Sequence, residues 1–527
     1  MCEASPMKPE TRAAQAGGHI DPTTKALVPP IHTSTTFERD ADGSYPIGYE
    51  YTRADNPGYE LPEQMLAELE LGAEAMLFSS GMAAASSVFC ALVPGDHVIA
   101  PAVMYWALRK WLSEFAMTWG ITVSFVDTTD LDAVRAAVRP GDTRIVWIET
   151  PSNPTWQLTD IAAVAEIAHA ANARVAVDST VATPVHTRPI EHGADLVVHS
   201  ATKFLNGHGD VLAGAVVAAV DDPFVQRIRA WRRSNGAVPS GFDAWLLLRG
   251  MRTLFLRVQQ SSTSAQRIAE HFARDERVDA VLYPGLVDHP GHEIAARQMT
   301  DGFGGMVSMR IRGGEPAAMA TAARVGLFVR ATSLGGTESL VEHRASVEGP
   351  STPVAADLLR FSIGLEDADD LIADLDQALD HGLVGSAVDA PPSDRFATLR
   401  RSVVARGGDL QLRGDQVVAV GSPGAVQPLC DELDLPPVTA TTVGGVLAEA
   451  INPMVAAHGG EVVLESEVDG VIGVRLTGRC QGCAMAQVTV RQGVEVLLRR
   501  HVPGVTQVVD LTDHGAGGDP YYPTSKR

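Results

Sequence analysis

Between about Ala73 and Val220 the chain alternates short apolar runs with amphipathic stretches, and this alternation limits the possible folds more than any other feature. The runs are His97-Val-Ile-Ala, Ile121 to Val126, Arg144-Ile-Val-Trp-Ile, Arg174-Val-Ala-Val-Asp and Leu196-Val-Val-His, and the stretch Ile161 to Ala171 carries apolar residues at helical spacing. Runs so short and so uniformly apolar read as strands covered on both faces and joined by crossover helices. That is a mostly parallel sheet in an α/β domain. Ligands of open sheets gather at the carboxyl ends of the strands, and Glu149, Asp178 and Ser200 close three of these runs, so they are expected at one site.

A chain of 527 residues exceeds the roughly 250 to 300 at which a single core stops growing, so several domains are expected. The pattern predicts an N-terminal arm over 1–60, a large domain over 61–255, a smaller α+β domain over 256–384 and a linker over 385–395 containing Ala390-Pro-Pro-Ser-Asp. Beyond it come a segment over 396–440 that fits no clear pattern, a second small α+β unit over 441–513, and a tail over 514–527. Within these, Arg406-Gly-Gly-Asp-Leu-Gln-Leu echoes His458-Gly-Gly-Glu-Val-Val-Leu, by chance or as a degenerate repeat.

A net charge of −22 disfavours nucleic acid as a partner, because such binding relies on Lys and Arg neutralising phosphates. No apolar run approaches the roughly 18 residues of a membrane span and the first residues lack a signal-peptide core, which places the protein in the cytoplasm and off the membrane. Five cysteines, an odd and small number, argue against a disulfide framework.

The segment His199-Ser-Ala-Thr-Lys-Phe-Leu-Asn-Gly-His places a lysine between hydroxyls just after a buried run. An aldehyde cofactor needs such an amine to form an imine, and its phosphate needs donors such as Ser200 and Thr202. Asp178, 25 residues before Lys203, ends the preceding run, where its carboxylate can keep a pyridine nitrogen protonated and the ring an electron sink. Upstream, Ser79-Ser-Gly-Met-Ala-Ala opens a helix whose free N–H groups suit a phosphate. On composition alone Lys203 reads as a loop lysine, Asp178 as a loop cap and the Ser-Gly pair as a helix cap. Their combination points to pyridoxal phosphate.

In order along the chain stand Tyr51-Thr-Arg-Ala-Asp-Asn-Pro, Ser79-Ser-Gly-Met, Glu149-Thr-Pro-Ser-Asn-Pro, Val177-Asp-Ser-Thr-Val-Ala-Thr-Pro, Ser200-Ala-Thr-Lys, Ser333-Leu-Gly-Gly-Thr-Glu-Ser-Leu and Arg360-Phe-Ser-Ile-Gly-Leu-Glu-Asp. With these motifs, Gly18 to Leu383 resembles the Cys/Met-metabolism family of pyridoxal-phosphate enzymes, which includes cystathionine γ-synthases, γ-lyases and homoserine sulfhydrylases. The resemblance implies the aspartate-aminotransferase-like fold and a homo-oligomer, dimer or tetramer. It implies that Lys203 is the Schiff-base lysine and general base, and that Asp178 pairs with the pyridine. Ser80, Gly81, Met82, Ser200 and Thr202 form the phosphate cup, while Tyr51 and Arg53 reach a neighbouring subunit's phosphate. Tyr105 stacks on the ring and serves as a further acid or base. Asn153 contacts the cofactor and the substrate, and Ser333 and Arg360 grip the substrate carboxylate.

The implied activity is carbon–sulfur lyase or transferase chemistry on a small amino acid such as cystathionine, cysteine or an O-acylhomoserine. Ser333-Leu-Gly-Gly favours reaction at Cγ. The chain departs from the family pattern at Tyr105-Trp-Ala, at Asp178-Ser-Thr and at Glu342-His-Arg-Ala-Ser-Val-Glu-Gly, where Trp106 and Arg344 can reshape the substrate mouth.

Near the C-terminus, Gly478-Arg-Cys-Gln-Gly-Cys-Ala-Met offers two thiols, Cys480 and Cys483, that suit half an iron–sulfur site, half a zinc site or a redox dithiol. His458-Gly-Gly-Glu-Val-Val-Leu, Val474 to Cys483, Ala486-Gln-Val-Thr-Val and His501-Val-Pro-Gly-Val-Thr-Gln-Val resemble the NifU-type C-terminal domain over about Thr442 to Asp510. That resemblance implies an iron–sulfur scaffold whose cluster, of the 4Fe-4S type, is held by Cys480 and Cys483 of two subunits and passed to apo iron–sulfur proteins. It also raises the alternative of a cysteine or cystine lyase feeding sulfur to its own scaffold. Cys2, Cys90 and Cys430 read as incidental thiols, and His208, His289 and His292 as loop or pocket histidines.

Overall fold

In a computed structural model, residues 7–348 and 354–384 are described, together with separate segments within 409–512. The chain divides into two units, Met1–Gly385 and Ser386–Arg527.

Unit one is built on a seven-stranded sheet of Glu74–Phe78 (β1), His97–Pro101 (β2), Thr122–Val126 (β3), Thr143–Glu149 (β4), Arg174–Asp178 (β5), Leu196–His199 (β6) and Gly214–Ala218 (β7), in the order β1-β7-β6-β5-β4-β2-β3. The five expected runs form β2 to β6, all parallel; β7 lies antiparallel between β1 and β6. The period of two along a strand decides which layer each residue supports. Val175 and Val177 of β5 pack with Ile161 and Val164 of the helix Ile161–Ala170, whereas Ala176 joins Trp147, Phe89 and Ile228 on the other side. Full burial of such aliphatic side chains is worth roughly 1.5–3 kcal/mol each, so cover on both faces is what holds a sheet of these runs together.

A smaller sheet follows, of Val278–Leu282 (β8), Met306–Ile311 (β9), Val329–Arg330 (β10), Leu340–His343 (β11) and Leu358–Ser362 (β12), in the order β10-β11-β12-β9-β8. The expected change of domain at 255/256 falls inside one helix, Leu254–Phe272. Leu254, Phe255 and Val258 of this helix join a core containing Leu77, Val197 and Val217 of the large sheet, while Ala265, Ile268 and Phe272 join the core of the small one. The helix is therefore a strut shared by both domains.

In unit two, Asp409–Arg413 pairs antiparallel with Gln416–Val420, which pairs parallel with Pro437–Val438. Gly460–Val468, Val471–Gly478 and Gln507–Asp510 repeat that arrangement, antiparallel and then parallel. The two echoing heptapeptides lead into the first strand of each sheet, which favours a degenerate repeat over chance. Val443, Val446, Leu447 and Ile451 cover Val462, Ile472, Val474 and Leu476 of the second sheet. The segment 385–395 lies outside the described residues, as do Cys480 and Cys483. Among the described residues no helix is long and apolar enough to cross a membrane.

Candidate active site

Because β1, β4, β5 and β6 all run the same way, their carboxyl ends share one edge, and a cavity of about 300 Å³ opens there. Ser80, Gly81, Met82, Tyr105, Asn153, Asp178, Ser200, Thr202, Lys203, Ser333 and Arg360 all line it. These side chains come from both domains, so the sequence-distant motifs converge.

At one end of the cavity the helix Gly81–Cys90 begins, with Ser80 as its cap accepting from the Ala83 N–H at 3.0 Å. That bond engages the Ser80 hydroxyl locally and leaves the backbone at Gly81 and Met82 as the donors. A Cβ at Gly81 would stand 2.7 Å from Cβ of Ser200, so the helix start and the Ser200 turn approach as closely as only glycine permits. The Thr202 hydroxyl both donates to Ala213 O (3.1 Å) and accepts from Ala213 N–H (3.0 Å), which pins the loop carrying Lys203. Just before it, His199 Nε2 meets Glu70 Oε1 at 2.7 Å with both side chains fully buried, anchoring the end of β6.

Asp178 ends β5 beside Glu149, its register partner at the end of β4. Desolvation pushes both carboxyls upward in pKa, and for Glu149 the neighbouring Asp178 charge adds to the rise. Thr180 braces the site: its N–H donates to Asp178 Oδ1 at 3.0 Å, and its hydroxyl accepts from Ser200 N–H at 2.8 Å. Glu149 accepts from the backbone N–H of Tyr105 (2.7 Å) and of Asn153 (2.9 Å), fixing two wall residues. Neither Thr180 nor this function of Glu149 was apparent from the sequence, although an Asp-x-Thr after a strand is the local signal of an Asx-type turn.

Lys203 Nζ donates to Ser333 Oγ at 2.6 Å. Desolvation, followed by the Arg360 charge, brings its amine down to about 8, so a useful fraction is neutral near pH 7. Ser333 has φ 113°, a left-handed backbone that costs a non-glycine residue roughly 1–3 kcal/mol, as is found where a fold holds a residue for function. Its carbonyl accepts from Arg360 Nη2 at 2.8 Å, and Arg360 Nη1 reaches Asn153 Oδ1 at 3.3 Å. Tyr105 is 39% exposed on the rim, and desolvation raises its phenol, which therefore keeps its proton at neutral pH.

Tyr51 and Arg53 stand apart from this cavity: Tyr51 is exposed and Arg53 Nη1 donates to Arg233 O at 2.6 Å. Trp106 and Arg344, from the departing motifs, do line it. Asp178 has no ion-pair partner among the described residues, so a group bringing a positive N–H would supply the charge it lacks. Together with an amine of lowered pKa and a helix start open to an anion, these residues fit a phosphate-bearing pyridine aldehyde.

The family model for "Cys/Met metabolism PLP-dependent enzyme" matches residues 10–380, and that for "NifU-like domain" matches residues 443–509. The chain is 46% identical over 377 residues to a cystathionine gamma-synthase of Mycobacterium tuberculosis, covering 70% of this chain and 96% of the relative. It is 42% identical over 384 residues to a cystathionine gamma-lyase of Saccharomyces cerevisiae, again covering 70% of this chain and 96% of the relative. The crystal structure of cystathionine gamma synthase from Xanthomonas oryzae pv. oryzae in complex with cystathionine superposes with a TM-score of 0.69 at 38% identity, covering 72% of this chain and 100% of the other.

Proposed function

The chain belongs to the Cys/Met metabolism PLP-dependent enzyme family and carries a NifU-like domain behind the enzyme, and from that premise we propose that it makes or breaks the carbon–sulfur bond of cystathionine by chemistry at Cγ. The observation that carries the reading is the single cavity joining Lys203, Asp178 and Arg360. When bound, pyridoxal phosphate supplies a protonated ring that draws electrons away from the Cα of an amino acid attached through its nitrogen. Asp178 keeps that ring protonated, Ser200 and the backbone N–H groups of Gly81 and Met82 receive the phosphate, and Tyr51 and Arg53 serve the phosphate of a neighbouring copy in a dimer or tetramer.

The neutral amine of Lys203 takes the Cα proton, within reach of a substrate whose carboxylate is held by the Arg360 fork and Asn153. Ser333 receives the amine between proton transfers. A second proton, taken from Cβ, frees the electron pair that expels the group at Cγ; Tyr105, its phenol still protonated, gives that group a proton, and the wall formed with Trp106 limits water. The cytoplasm is the proposed location. In the NifU-like domain, Cys480 and Cys483 are proposed to hold an iron–sulfur cluster shared between two chains, for transfer to apo proteins. That domain also favours a second reading, in which cysteine is cleaved to release sulfide, or cystine to release a persulfide, as the sulfur source for the cluster.

One panel of incubations separates these readings. With O-succinylhomoserine and cysteine the purified protein is expected to form cystathionine, and with cystathionine alone to release cysteine and 2-oxobutyrate. Homocysteine and pyruvate from cystathionine would replace Cγ with Cβ chemistry. Sulfide from cysteine or a persulfide from cystine, with no cystathionine made or cleaved, would put the sulfur-supply reading first.

A further inference from the structure

Glu342 on β11 is the register partner of Arg360 on β12, so the two side chains rise from the same face of the small sheet. Glu342 Oε2 lies 2.6 Å from Arg360 Nη2 and 2.8 Å from Nη1 of Arg344. Arg344 opens the short helix Arg344–Glu348, and its Nη2 meets Glu348 Oε1 at 2.5 Å. Glu342, Arg344 and Arg360 are all buried, and with Glu348 they form a group of two cations and two anions. Three of its polar atoms nevertheless have no hydrogen-bond partner among the described residues: Arg360 Nε, Arg344 Nε and Glu342 Oε1. Unpartnered buried polar atoms are costly, and three in one cluster beside a cavity mark a place prepared for a polar ligand.

A carboxylate prefers two adjacent N–H groups of a guanidinium. On Arg360, Nη1 faces Asn153 and Nε is open, while Nη2 between them and the Ser333 carbonyl carries Glu342. A substrate carboxylate using the Nε and Nη2 edge therefore meets a negative charge already in place. We propose that Glu342 is a resident occupant of the substrate-carboxylate position on Arg360, and that Arg344 is the positioning residue that retains Glu342 when substrate displaces it. This rests on the reading of Arg360 as the carboxylate fork.

The charge balance gives the reason. Once substrate takes Arg360, Glu342 keeps its contact with Arg344 and no buried charge is left unpaired, which would otherwise be strongly unfavourable. Without Arg344 the only cation touching Glu342 among the described residues is Arg360, and the two carboxylates compete for it. Arg344 and Glu348 both lie in the segment Glu342-His-Arg-Ala-Ser-Val-Glu-Gly, where the sequence departs from the family pattern.

The test uses the holoenzyme titrated with glycine, which carries the amino-acid carboxylate and no side chain, and reads binding from the visible spectrum. Arg344→Ala is expected to weaken glycine binding about tenfold or more, and in turnover to raise KM by a larger factor than it lowers kcat. Glu342→Gln, which keeps the shape and removes the charge, is expected to tighten glycine binding. The double variant should fall within about threefold of Glu342→Gln, because Arg344 matters only while Glu342 is charged. An Arg344→Ala defect that persists in full in the double variant, or no defect at all, overturns the proposal. Should Arg344→Ala fail to yield a coloured, folded enzyme, Glu342→Gln decides alone, with tighter binding supporting the proposal and unchanged or weaker binding overturning it. Arg360→Lys separates the underlying reading: unchanged glycine binding there removes the carboxylate fork and this proposal with it, whereas a loss of binding there leaves the outcome to the Glu342 and Arg344 variants.

Discussion

Lys203→Ala is expected to remove both the visible absorption of the lysine-linked cofactor and turnover, the latter by roughly 10⁴-fold or more. Two proposed roles would be lost together, that of the anchoring amine and that of the group moving the Cα proton. The expectation follows from placement: Lys203 sits on a loop pinned by the Thr202 and Ala213 bonds, with its amine on Ser333 and its pKa brought to about 8 by desolvation and by Arg360. The pH dependence has a definite sign. Below about pH 8 the amine of the cofactor-free protein is mostly charged and cannot attack an aldehyde, so uptake of pyridoxal phosphate should speed up as pH rises to about 8 and level off above it. An uptake rate still rising towards pH 10 would mean an unperturbed lysine. Turnover by the alanine variant within tenfold of the parent would exclude the assigned base.

Asp178→Asn is expected to give a protein that still binds the cofactor and still shows its visible band, yet turns over on the order of 10- to 10²-fold more slowly. Hydrogen bonds to a charged group contribute about 1.5–3 kcal/mol, and each 1.36 kcal/mol at the transition state is a factor of ten. The amide keeps the shape and the contact with Thr180 but carries no charge to hold a ring proton, so the loss falls on kcat. The measurement pairs the visible spectrum with kcat for the same preparation. Loss of the band together with activity would show Asp178 to be a binding residue only, and unchanged kcat would show that the ring proton is held by something else.

How much of this could be read beforehand depends on the range of the determining interactions. β2 to β6 were legible because strands covered on both faces leave uninterrupted apolar runs in the sequence. β1 and β7 were not: Gly214-Ala-Val-Val-Ala is small and apolar enough for strand or helix, and its antiparallel pairing with β1 and β6 is a long-range choice. The boundary expected at 255/256 lies within the helix Leu254–Phe272, which keeps its period while its apolar face passes from one core to the other, so no break in the pattern marks the change of domain. Lys203, Asp178, Ser200 and Arg360 could be singled out because each stands in a motif of local sequence, and all four line the cavity. Thr180, Glu342 and the bracing of Tyr105 by Glu149 escaped, because the bonds of Thr180 to Ser200, of Glu342 to Arg360 and of Glu149 to Tyr105 each join residues distant in the chain. Glu342 and Arg360 meet only because β11 and β12 pair in one register. Ser80 and Thr202 line the cavity as expected, but their hydroxyls are engaged by Ala83 and Ala213, a detail that no motif carries.

The central claim is that one amine, that of Lys203, joins the cofactor to the chain. Reduction of the holoenzyme with borohydride fixes the cofactor wherever it is attached, and mass spectrometry of the digested protein then locates it. A pyridoxyl group is expected on the peptide containing Lys203 and on no other lysine peptide. A modified peptide from elsewhere, or an enzyme that remains active with Lys203 unmodified after complete reduction, would contradict it.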